Sequence, residues 1–135
     1  MNNSDNDAKL PAFVLGSPPP DFWWTVKVPV PTDDDYAFAA LRVQFAWCSQ
    51  AELDRMRGIG LADSEAAPTD DEIARAKVRG FELADEHGSA VPFNDATLAA
   101  LLNAPMVRSA IVGTYLAAMS GMAARKNART PPSAG

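Results

Sequence analysis

The chain has 135 residues, 47% apolar and 21% charged, which is enough for one modest core and too apolar for wholesale disorder. Its net charge of −5 argues against general nucleic-acid binding, because phosphate contacts need clustered lysine and arginine. Cys48 is the only cysteine, so an internal disulfide is excluded, and a four-ligand zinc site would have to recruit His87 and two carboxylates.

The first residues are Asn, Ser and Asp with nothing to bury, and Pro18, Pro19 and Pro20 deny a helix or an interior strand. Residues 1–20 therefore read as a flexible lead-in. From Trp23 the side chains alternate, with Trp24, Val26, Val28 and Val30 on one face and Trp23, Thr25, Lys27 and Pro29 on the other. That is a half-buried strand, placed at an edge or ended by Pro29. Pro31 to Asp35 is turn chemistry, and Leu41, Val43, Phe45 and Trp47 alternate after it. An antiparallel hairpin over about 22–47 follows, with its apolar face covered by helices.

Ser49 and Glu52 form a capping box that starts a short helix over 50–57, stopped by Gly58 and Gly60. Thr69 and Glu72 form a second box, and a helix over 70–87 is expected, with Ile73, Ala76 or Lys77, Gly80 or Phe81, and Ala84 on one stripe and His87-Gly88 as its stop. Asn94 or Asp95 caps a helix over 95–103 that carries Leu98, Leu101 and Leu102. Pro105 suits a first helical turn, so a long last helix is expected over 105–125, with Val107, Ile111, Tyr115, Ala118, Met119 and Met122 on one stripe. At 1.5 Å per residue it would run roughly 30 Å, and its distal turns would project from the core. Residues 128–135 read as a disordered tail. The fold class is thus α+β, a single domain over 21–127 with an N-terminal hairpin packed by a mainly helical C-terminal part.

Charge is unevenly placed. Residues 1–95 hold all seventeen acids and eight cations, a net of −9, whereas residues 96–135 hold four cations and no acid. Two surfaces with different partners, one acidic part holding a basic part, or chance with cations placed at a helix C-terminus all fit this split.

No constellation for catalysis emerges. His87 is the only imidazole and sits beside Gly88, where it serves to neutralise a helix end. Cys48, between Trp47 and the Ser49 cap, reads as a buried small apolar residue. Asp33-Asp34-Asp35 lacks the alternating ligands and internal Gly of a calcium loop and reads as a turn; Asp70-Asp71-Glu72 reads as a helix start. Gly58-Ile59-Gly60 lacks the third glycine of a dinucleotide fingerprint, and no phosphate loop occurs. Trp23 and Trp24 are candidates for a binding platform or for half-buried cover. No enzyme activity, cofactor or metal is expected.

One ordered set of short motifs is more specific than its pieces. It comprises Val78-Arg79-Gly80-Phe81-Glu82-Leu83-Ala84-Asp85-Glu86-His87-Gly88, then Val91-Pro92-Phe93-Asn94, Leu98, Leu101-Leu102, Pro105, Tyr115 and Arg125-Lys126-Asn127. This order resembles the tail assembly chaperones of long-tailed phages (siphophages), in which a helix ending in Gly and an aromatic leads to a Pro-Phe helix entry, a Leu-Leu-x-x-Pro joint and a long helix closing on Lys-Asn. Phe81 stands where Trp is the expectation. Cys48 and the triple-proline lead-in have no counterpart.

The resemblance implies a protein that binds the tape measure protein, keeps that long helical chain soluble and helps recruit tail tube protein around it. It also implies a longer form made by a −1 ribosomal slip: Arg125-Lys126-Asn127 can be encoded CGA-AAA-AAC, which contains the slippery heptamer A-AAA-AAC. The alternative is a structural head-tail connector or tail terminator subunit. Tyr115, Met119 and Met122 are the residues expected to meet a partner, since a flexible Met surface suits varied apolar sequences; packing on the hairpin is the competing role. With no apolar run of 18 residues and no signal-peptide pattern, the expected location is the host cytoplasm, without membrane contact.

Overall fold

The acidic stretch after Pro31 reverses the chain within two residues. In the computed structural model, which describes residues 10–122, β1 (Phe22–Thr32) and β2 (Asp35–Phe45) pair antiparallel with Thr32 opposite Asp35 and Phe22 opposite Phe45. Asp34 takes the turn's left-handed position at φ 65°, which short polar side chains tolerate. The second strand therefore starts six residues before Leu41, and Trp47 lies beyond its end. Val26, Val28, Leu41, Val43 and Phe45 are buried on one face, as the alternation requires, while Trp24 and Val30 on the same face remain 39% and 43% exposed.

Both capping boxes form. Ser49 and Glu52 open α1 (Gln50–Met56), and Thr69 and Glu72 open α2 (Asp70–Lys77), each box pairing side chain and backbone reciprocally. The expected helix over 70–87 is corrected at this point. It stops at Lys77, Val78 turns extended at φ −80° and ψ 124°, and β3 (Val78–Glu82) pairs antiparallel with β2, Arg42 opposite Glu82 and Val43 opposite Phe81. The helical stripe through Gly80 and Phe81 was a coincidence of spacing. A β-branched Val and a Gly are weak helix formers, and the free border of β2 offers the backbone partners that a strand can use. The sheet has the order β1-β2-β3, with an irregularity between Gln44 and Phe45. Gly80 also has a local reason: a Cβ there would lie 3.2 Å from Gln44 and 3.7 Å from the Trp23 ring, which leans over it.

His87 and Gly88 consequently end no helix. They lie in an exposed turn in which the Asp85 carboxylate accepts hydrogen bonds from the amides of His87 (2.8 Å) and Ser89 (3.0 Å). Asn94 caps α3 (Asp95–Leu102), and Phe93 just before it meets Phe81 edge-on at 5.1 Å. Pro105 opens α4 (Pro105–Met119), which packs on β1, α2 and α3. This helix ends six residues before the expected Arg125: Ser120 is its C-cap and Gly121 adopts φ 69°. At fifteen residues it is still the longest of the described helices, about 22 Å by the standard rise. Ile111, Val112 and Tyr115 enter the core with Leu53, Ile73, Val78, Leu98 and Leu102. The architecture is α+β, a three-stranded antiparallel sheet begun by an N-terminal hairpin and packed by four described helices.

Candidate partner-binding surface

The three residues expected to meet a partner fall in different environments. Tyr115 is 1% exposed, and its hydroxyl donates a 2.8 Å hydrogen bond to the Ala46 carbonyl. Burial, and next the neighbouring Cys48 thiol, push its phenol far above the ordinary range, so it stays a neutral donor. Tyr115 is thus a core residue and not a contact surface. Met119 packs half-buried against the core cluster. Met122 is 50% exposed, with its sulfur 3.6 Å from an Arg57 guanidinium nitrogen. Arg125, Lys126 and Asn127 lie outside the described residues, as do residues 1–9 and 123–135 generally.

A groove of about 630 Å³ runs between β1 and α4, lined by Lys27 and Pro29 on the strand and by Met106, Ala110, Gly113 and Thr114 on the helix. Beyond Met106 its helical wall is thin, because Ser109, Ala110, Gly113 and Thr114 are small. Gly113 is the sharpest case: it costs helix stability, yet a Cβ placed on it would meet nothing within 4 Å. Packing among the described residues gives Gly113 no reason to be glycine. The arrangement accepts an apolar helix or loop laid close along α4.

The far half of the hairpin is a second exposed feature. β3 covers only Arg42 to Phe45, so among the described residues the border of β2 from Tyr36 to Ala40 has no strand beside it. Phe38 is 68% exposed and Tyr36 55% exposed. Sequence reasoning missed both, because it began the strand at Leu41; the signal was the alternation of Tyr36 and Phe38 with Ala37 and Ala39 directly after Asp35. Trp23 and Trp24 point to opposite faces of β1 and make no joint platform.

Ion pairs tie the helices to one another. Lys77 contacts Glu52 at 2.7 Å, joining the end of α2 to α1 and holding the Glu52 carboxyl below its ordinary range. Asp71 pairs with Arg75 at 2.7 Å and lies 3.9 Å from Arg108 on α4. Cys48 is buried, and His87 is exposed beside Glu86. Among the described residues no group of three or more His, Cys, Asp or Glu side chains is placed to hold a metal ion. No single described helix is long and apolar enough to cross a membrane, and the apolar pair α3 and α4 is bent by 103°. Comparison with protein-family models, with curated proteins and with solved structures finds no match for this chain.

Proposed function

We propose that the chain is a phage tail assembly chaperone that binds the tape measure protein, keeps it soluble and helps recruit tail tube subunits. The observation that carries this reading is the ordered pattern from Val78 to Tyr115 and on to Lys126-Asn127. The groove beside α4 supports it, since a thin apolar wall with open space over Gly113 suits a helix of a long helical client. The exposed Met122, three residues past the end of the same helix, offers an adaptable contact. Binding of this kind needs no cofactor and no turnover.

Co-expression with the neighbouring tape measure gene, followed by affinity capture, tests the proposal. The expected result is a soluble complex; a tape measure protein that stays insoluble and uncaptured would overturn it. The head-tail connector or terminator reading is separated by light scattering on the purified chain, because a stable ring of six or more copies belongs to that reading and not to a chaperone.

A further inference from the structure

The two borders of the hairpin are treated differently. Thr32 pairs with Asp35 across the turn, and even-numbered residues of β2 face β3, with Arg42 opposite Glu82 and Gln44 opposite Gly80. The amides of Tyr36, Phe38 and Ala40 therefore point away from β1. In keeping with this, the Tyr36 amide donates to the Asp35 carboxylate at 2.7 Å and not to a strand. On the opposite border Pro29 and Pro31 occupy the outward positions and offer no N–H, while Lys27 lies near them. Thus β1 carries the devices that discourage strand addition, and β2 from Tyr36 to Ala40 carries neither proline nor charge.

We propose that this border pairs with the same border of a second copy, antiparallel about a two-fold axis at Ala37, to give a continuous six-stranded sheet. The sequence is self-complementary in that register. Tyr36 lies opposite Phe38 of the second copy and Phe38 opposite its Tyr36, so two exposed aromatics on each chain become cross-strand pairs on one face. Small Ala37 meets Ala37 on the other face. Asp34 of the second copy lies opposite Ala40, on the row shared with Lys27 and diagonal to Arg42. Neither Lys27 nor Arg42 has a carboxylate ion-pair partner among the described residues, and Asp34 has no cationic one. Opposite charges therefore meet twice, by symmetry. The proposed pairing ends at Ala40, two residues before Arg42, the first β2 residue paired with β3.

Sedimentation of the purified full chain over a wide concentration range tests this without any phage partner, so its outcome is independent of the proposed function. A reversible dimer is expected, weakened by added salt. Phe38→Pro removes an outward amide and leaves the ladder to β1 intact, so it should keep near-ultraviolet circular dichroism while weakening the dimer roughly tenfold or more, two hydrogen bonds being lost per dimer. Asp34→Asn keeps the turn conformation and Arg42→Gln keeps the strand; each should weaken the dimer, and the double variant should be little worse than either. A chain that stays monomeric throughout overturns the proposal. So does a dimer indifferent to Phe38→Pro, or one lost on deleting residues 1–15, which would assign the contact to the exposed Phe13-Val14-Leu15 segment.

Discussion

The hydroxyl of Tyr115, in the middle of α4, is hydrogen-bonded to the carbonyl of Ala46, one residue past the end of β2. The contact links positions 69 residues apart and satisfies a backbone acceptor where the chain leaves the sheet. The Tyr115 ring also stacks near Phe45, with centroids 5.1 Å apart. Tyr115→Phe keeps the ring and orphans the carbonyl, so it is expected to lower stability by about 1–2 kcal/mol in urea unfolding, with partner capture unchanged in the folded protein.

Gly113 separates stability from binding. Gly113→Ala puts a methyl group into open space and removes a helix-interior glycine, so it should raise stability by about 0.5–1 kcal/mol. Gly113→Trp should fold as well but fill the groove and abolish capture of the tape measure protein. Thermal melts and capture assays on the two variants check both outcomes; undiminished capture by the Trp variant would place the client elsewhere.

The Glu52 and Lys77 pair predicts a direction with pH. The Glu52 carboxyl is held below its ordinary value of 4.5, mainly by its hydrogen bond to Lys77 and next by the Ser49 amide. A carboxyl lowered by folding contributes stability that is fully present above its unfolded value and is lost as pH falls through the folded one. Melting temperature should therefore decline as pH drops below about 4.5, and Glu52→Gln should shallow that decline while lowering the plateau near neutral pH. An unchanged acid profile in the Gln variant would remove this pair from the account.

The gene offers a test that needs no protein. If the chain is a tail assembly chaperone, codons around Arg125-Lys126-Asn127 should contain the heptamer A-AAA-AAC, with an overlapping frame that extends the product. Sequencing the gene and immunoblotting for two lengths would check this. A message with no slippery run there would count heavily against the reading.

Local chemistry was the legible part of the fold. The two capping boxes, the Asn94 cap, Pro105 at a helix start and the buried Cys48 each follow from groups that act within a few residues. The hairpin was legible because alternation and an acidic turn coincide. What sequence reasoning missed was set by distant partners. Val78 to Glu82 became a strand because β2 presented a border to it, which no local pattern records. Tyr115 shared a helical stripe with Met119, but the Ala46 carbonyl and the Phe45 ring hold it inside the core. The motifs behind the resemblance turn out to be largely scaffold: Phe81 against Phe93, the Asn94 cap, Leu98 and Leu102 in the core. The surface features, Gly113 and the Tyr36 to Ala40 border, lie between or outside those motifs.

Pro29 and Pro31 carry a consequence for stoichiometry. With one border closed by prolines and α4 packed along the same strand, the hairpin itself keeps one border where another strand can be added. Joining two such chains uses up both places and leaves proline-guarded margins outside. Growth through this border therefore ends at a pair.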